Sequence, residues 1–254
     1  MFLSEAFSSV DESPTAFPNY PEQSLLHSFK SHFTTIDADK PPFVGAAYKL
    51  RYQIYCVEKQ FEDSKAHPNE LERDEFDSHS VQGLLLHRTS GIAVGTARLV
   101  LPLSNAPERS FAIQRLLRDE TMKLVGNVPH GLAAEVSRFS ISKQSVRRVP
   151  NRGHDGSQAD YRSGPLMRLG LLQMLIRMSV MNGITHWYGL IEPSLMRMMS
   201  AMAFHVEPMG PLVNYHGMRQ PCFCNLSKVL AEVKRERPSF WEVLTDGGRF
   251  AVAS

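Results

Sequence analysis

The sequence predicts an α/β (α+β) fold: one domain with a central, mostly antiparallel mixed sheet flanked by helices. Three observations carry this. Strand-length runs with period-two patterning occur at Val81 to His87, Gly91 to Leu101 and Ala133 to Ile141. A helical run from Pro165 to Asn182 is apolar on nearly all sides, as expected of a helix packed between other elements. Strand text then returns at Ile184 to Ile191, followed by a short helix and further strands.

Taken in order, residues 1–21 are rich in Ser, Pro and acids without a period and read as a poorly ordered leader, leaving 22–254 as a single domain. His32 to Ile36 reads as a short strand, and Phe43 to Gln60 as a helix whose apolar stripe of Val44, Ala47, Leu50, Ile54 and Val57 leaves Arg51 within or beside the buried face. Thr89-Ser90-Gly91 supplies the turn of a hairpin. Pro107 to Leu124 follows as a helix, then Ala133 to Ile141 as a strand. In that strand Glu135, Ser137 and Phe139 share one face and Val136, Arg138 and Ser140 the other, unless a bulge re-aims one of them. Residues 142–164 read as a mobile basic loop. Pro165 opens the long helix and Asn182-Gly183 closes it. Pro193 to Met202 is a short helix, and Ala203 to Leu226 a pair of strands.

Composition removes several functions. A formal net charge of +2 over 254 residues gives no global field for nucleic acid or membranes. The run Leu166 to Met181 is interrupted by Arg168, Gln173 and Arg177 and is too short for a membrane span. The first eleven residues lack the pattern of a signal peptide, and three cysteines without framework spacing suit a reducing compartment, so the expected location is the cytoplasm. His186, His205 and His216 have no metal-ligand spacing, and no dinucleotide turn, phosphate loop or nucleophile elbow occurs; no tightly bound cofactor is expected.

What remains is charge inside apolar text. Glu72-Arg73-Asp74-Glu75-Phe76-Asp77 and Glu135-Val136-Ser137-Arg138-Phe139, with Arg51 and Arg98, place acids and bases where an unpaired charge is expensive to bury. Glu135, in mid-strand before a long helix, suits a general base, with neighbouring arginines expected to hold it ionised. The basic residues Arg147, Arg148, Arg152 and Arg162 suit an acidic docking partner, with simple solvation as the alternative. The methionines between Met167 and Met209 read as core, or as the wall of an acyl-chain site.

The blocks Arg51-x-x-x-Tyr55, Phe61, Glu72-x-Asp74-x-Phe76-Asp77, Gly95-Thr96-Ala97-Arg98-Leu99 and Glu135-Val136-Ser137-Arg138-Phe139 resemble, in order and spacing, those of acyl-homoserine-lactone synthases. The resemblance implies a GNAT-related acyltransferase fold and an acyl donor carried as a phosphopantetheine thioester on acyl carrier protein. It also implies a catalytic set of Glu135, Arg138 and Arg98, with Arg51, Tyr55, Phe61, Asp74, Asp77, Ser137 and Phe139 binding substrate. Two features depart from it. Phe61 stands where those synthases usually carry tryptophan on the S-adenosylmethionine side. The segments Trp187 to Pro193 and Gly210 to Gly217 look more like N-acyl amino acid synthases and exosortase-associated acyltransferases. The expected acceptor is therefore the amine of an amino acid or similar small molecule. The alternatives are a lactone synthase using S-adenosylmethionine and a non-catalytic domain that binds acyl chains or acyl carrier protein.

Overall fold

The structure is a computed structural model and describes residues 25–117, 128–150 and 164–251. The leader 1–21, and Arg152 and Arg162 of the basic segment, lie outside the described residues.

Helix α1 (Leu25–His32) leads into β1 (Phe33–Asp37), and α2 (Phe43–Tyr52) continues as a π-helical stretch over Gln53–Glu58. A 3-10 turn at Glu75–His79 enters β2 (Ser80–His87), followed by β3 (Ala93–Val100), the short α3 (Ala112–Leu116) and β4 (Ala133–Ile141). Next come α4 (Lys143–Arg148), α5 (Gly164–Met181), β5 (His186–Ile191) and α6 (Pro193–Ala201). The chain finishes with β6 (Glu207–Pro208), β7 (Val213–Asn214), β8 (Met218–Asn225), α7 (Leu226–Glu236) and α8 (Pro238–Thr245).

The eight strands form one sheet in the order β1-β2-β3-β4-β5-β8-β6, with β7 paired to β8. Every pairing is antiparallel except β4 with β5. That parallel pair runs only from Ala133↔His186 to Val136↔Gly189; β5 then stays with β8 while β4 stays with β3. The sheet is therefore split from Ser137 onward, and the β4 backbone facing the split has no strand partner there.

One face of the sheet is covered by α5, which carries the main core. Leu169, Leu171, Leu172, Met174, Leu175 and Ile176 are 0–2 % exposed. Most interior polar atoms of this helix are satisfied: Gln173 Nε2 donates to Val243 O at 2.6 Å and Arg177 Nη1 to Thr35 O at 2.9 Å, while Arg177 Nε is buried without a hydrogen-bond partner. Burial between the sheet and α8 explains a helix apolar on nearly every side. Gly170 permits a close approach, since a Cβ there would lie 2.7 Å from the Phe29 ring and 2.8 Å from Leu85 Cδ1. Gly170→Ala is accordingly expected to destabilise by about 1–3 kcal/mol through overpacking, read as a lower midpoint in denaturant unfolding. The methionines Met167, Met174, Met178, Met199 and Met202 are buried in this core.

Three expectations need correction. Pro107 to Leu124 is not one helix: a 3-10 turn at Pro107–Arg109 is followed by five helical residues, and residues 118–127 lie outside the description. The basic loop 142–164 begins as helix α4, because Ser142 caps it by accepting from Ser145 N–H at 3.0 Å. Between Ala203 and Leu226 there are three strands rather than a pair. Helices α1, α7 and α8 were not anticipated. Among the described residues, no helix is long and apolar enough to cross a membrane.

Candidate active site

The opposite face of the sheet carries the charged blocks. A bulge in β4 decides which of its side chains arrive there. Thr96 pairs with Ser140 but Arg98 pairs with Ser137, so β4 holds one extra residue, and Arg138 takes it up with φ +52°. The alternation therefore changes phase. Glu135, Ser137, Arg138 and Ser140 come to one face, while Phe139 joins Val136 and Ile141 against the main core. Phe139, expected among the substrate-binding residues, instead packs beneath the sheet.

Arg51, Arg98 and Arg138 alternate with Glu72, Asp74 and Asp77 in a closed ring. Arg51 Nε donates to Glu72 at 2.6 Å, and its Nη1 and Nη2 donate to Asp77 at 2.6 and 3.0 Å. Arg98 makes a bidentate pair with Asp74, reaches Asp77 at 3.0 Å, and donates from Nε to Ser137 Oγ at 2.9 Å. Arg138 completes the circuit with Glu72 at 2.8 and 3.1 Å and Asp74 at 3.0 Å. Each guanidinium also faces an aromatic ring: Arg51 over Tyr48, Arg98 over Phe76 and Arg138 over Tyr55, at 5.2, 6.0 and 5.0 Å.

Local sequence builds this. Arg51 lies in the last turn of α2. Asp74 caps the following 3-10 turn by accepting from Phe76 N–H at 3.0 Å, while Asp77 accepts from Asp74 N–H at 2.8 Å, so one capping box fixes two members of the ring. The π-helical stretch after α2 ends with Tyr55 Oη 2.7 Å from Ser140 Oγ. Burial would raise the Glu72 carboxyl, but hydrogen bonds from Arg138 and Arg51 outweigh it and bring its pKa down to about 2. Asp77 is likewise held well below the usual range, burial being outweighed by Arg51 and Arg98. Arg51 is fully buried and committed to the ring, so it is a structural hub rather than a group that touches substrate.

Glu135 stands outside the ring. It is 3 % exposed, among Phe111, Ile113, Ala133 and Tyr188, and accepts from Ile113 N–H at 2.8 Å. No arginine among the described residues bonds to it. The expectation that arginines hold it ionised is therefore corrected. Burial raises its pKa to about 7; the Ile113 N–H, Arg98 and Arg138 oppose that, and Asp74 adds to it. A carboxyl poised near neutrality can take a proton and release it, unlike the ring carboxylates.

Two groups were not assigned from sequence. The Tyr215 phenol, its pKa raised by burial, feels Arg138, Glu135, Asp74 and Arg98 together. It is set there by the turn at His216 and Gly217, whose φ values are +51° and +94°. That Tyr-His-Gly turn was the available signal. His216 stacks on Phe61 at 5.9 Å, and Glu62 lies 3.6 Å from both His216 Nε2 and Arg138 Nη2. Phe61 is thus tied to the charge ring through His216 and Glu62.

A split sheet of this topology, with a bulged β4 opposite a parallel β5, bears a buried carboxyl and a charge ring at the split. Residues 50–149, which run from the last turn of α2 through α4, match the family model described as an acetyltransferase (GNAT) domain. The chain has a fold of the GNAT type, and over these residues it is similar to acetyltransferase (GNAT) domains.

Among solved structures it is similar to the acyl-homoserine-lactone synthase LasI, at 18% identity over 76% of this chain and 88% of that one, with a TM-score of 0.53. The CoA-dependent acyl-homoserine lactone synthase BjaI, solved with MTA, aligns at 18% identity over 88% of this chain and 90% of its own, TM-score 0.56. FeeM, an N-acyl amino acid synthase from uncultured soil microbes, aligns at 13% identity over 79% and 94%, TM-score 0.50. At these identities the likeness is one of fold. No curated protein sequence matches the chain significantly.

Proposed function

We propose that the protein is a cytoplasmic N-acyltransferase that moves a fatty acyl chain from acyl carrier protein to the amine of an amino acid or similar small molecule. The observation that carries this reading is Glu135: a buried carboxyl with a pKa of about 7, beside the split between β4 and β5. An amine attacking a thioester carbonyl forms the C–N bond and must lose a proton, which Glu135 accepts directly or through water. The C–S bond then breaks and the sulfur leaves as a thiol once protonated. Backbone N–H groups of β4 beyond Val136, unpaired on the β5 side, are suited to the oxyanion of the tetrahedral intermediate. Arg98 and Arg138 orient the site through Ser137 and Asp74.

Donor docking is assigned to α4, where Lys143, Arg147 and Arg148 are exposed and suited to an acidic carrier protein. A second reading, a lactone synthase using S-adenosylmethionine, draws support from BjaI, solved with S-adenosylmethionine and isopentyl-CoA. Against it, Lys59 and Arg219 both face the Phe61 ring, so a sulfonium there would meet two cations. Incubation with acyl carrier protein thioester and either an amino-acid panel or S-adenosylmethionine decides between them. An acyl amino acid with free carrier thiol is expected; a lactone with methylthioadenosine would give the second reading instead.

A further inference from the structure

Lys59 Nζ lies 5.5 Å and Arg219 Cζ 5.8 Å from the centroid of Phe61. Two cations therefore converge on one ring beside the charge ring. The acid beside Lys59 in sequence does not neutralise it. Glu58 accepts instead from Ser142 Oγ at 2.6 Å, Lys143 N–H at 2.9 Å and Gln144 N–H at 3.1 Å, closing the start of α4. Lys59 itself reaches Ser140 Oγ at 3.4 Å and the Tyr55 ring at 5.6 Å, and has no ion pair with a carboxylate among the described residues. Arg219 is held by Glu192 at 3.1 Å and by His216 O at 2.8 Å. Glu62, the other acid nearby, sits with Arg138 and His216. Lys59 is exposed at the surface, and the protein packed around its stem, then Arg219, lower its pKa while Glu192 and Glu58 oppose. Such an arrangement favours an added negative charge.

We propose that Lys59 and Arg219, with the Ser140 and Tyr55 hydroxyls beside Lys59, form an oxyanion-binding site around Phe61 for an anionic group of a substrate. The anion is either the phosphodiester of a phosphopantetheine arm or the carboxylate of the amine acceptor. Both present oxygens to a pair of cationic donors. The identity of the substrates rests on the proposed function, but the existence of the site does not.

Calorimetric titration of the full chain with inorganic phosphate tests the site without turnover. The wild type is expected to bind, Lys59→Met and Arg219→Gln to weaken binding by about tenfold or more, and Lys59→Arg to restore it in part. Lys228→Met, at an exposed pair with Glu207, serves as the control and should bind as wild type does. Absence of phosphate binding by the wild type, or equal binding by the two weakening variants, overturns the proposal. A lack of acyl transfer would count against the proposed function and leave this titration readable. Where turnover is measured, a raised KM for the carrier thioester in Lys59→Met identifies the phosphodiester, and a raised KM for the acceptor the carboxylate. Unchanged values of both overturn the proposal.

Discussion

Glu135→Gln is expected to lower turnover by about 100-fold to 10,000-fold while leaving the melting temperature at pH 8 unchanged or higher. The two effects have one cause. Glutamine can keep the hydrogen bond from Ile113 N–H, so the strand is not disturbed, but it cannot take a proton from the amine. Glu135 also has a folded pKa raised to about 7 from an ordinary 4.5, which means the folded protein binds more protons than the unfolded chain between those values. Stability therefore falls as pH rises through that window, and the deficit is complete above pH 7. Removing the charge returns up to about 3 kcal/mol at pH 8. In the wild type, kcat/KM is expected to rise with pH through about 7 as the base loses its proton, and this limb should be missing in the variant. A variant that kept wild-type turnover would remove Glu135 from the chemistry, and one that melted early at pH 8 would overturn the raised pKa.

Breaking the charge ring is expected to act in the opposite sense. Arg51→Met leaves Glu72 and Asp77, both nearly inaccessible, short of one partner each. Loss of one member of a buried pair costs roughly 3–5 kcal/mol. For a chain of this length that corresponds to a fall in Tm of roughly 10 °C. Activity should fall with the folded fraction, and KM for either substrate should stay near its wild-type value in the protein that remains folded, since Arg51 faces the ring and not the cleft. The exposed pair of Arg115 with Glu75 supplies the comparison: Arg115→Ala should change Tm little. The ring also sets an acid limit. Glu72 and Asp77 have depressed pKa values, so their stabilisation is present above the ordinary carboxylate range and is lost as pH falls toward about 2.

How legible this was in the sequence varied with the physics behind each element. Strand β4 and helix α5 stood out because burial on one face or all faces imposes a period that residue types reveal directly. The six residues of the ring were recognisable as charges in apolar text, since such groups survive burial only in pairs. Their partition was not. Strict alternation puts Glu135 and Arg138 on opposite faces, and only the bulge at Arg138, with its positive φ, brings both to one face, where Arg138 joins the ring and Glu135 is left against Ile113. The same bulge sent Phe139 to the core, contrary to strict alternation. A bulge is fixed by pairing with β3, and no local residue pattern announces it here. Helix α7 was not anticipated although its signal is present: Leu226, Val229, Leu230 and Val233 follow helical spacing, with Asn225 as its cap. Tyr215 was missed for a different reason. It comes within electrostatic range of Glu135 and Arg138 from a turn far along the chain, so only the tertiary fold brings it there.

The most direct test compares lipid extracts, by mass spectrometry, from cells overproducing the wild type and Glu135→Gln at equal soluble levels. An acylated amine carrying the mass of an amino acid or similar acceptor is predicted in the first and not in the second. The same species at equal abundance in both, or no acylated amine in either, would contradict the assignment of Glu135 as the base of an N-acyltransferase.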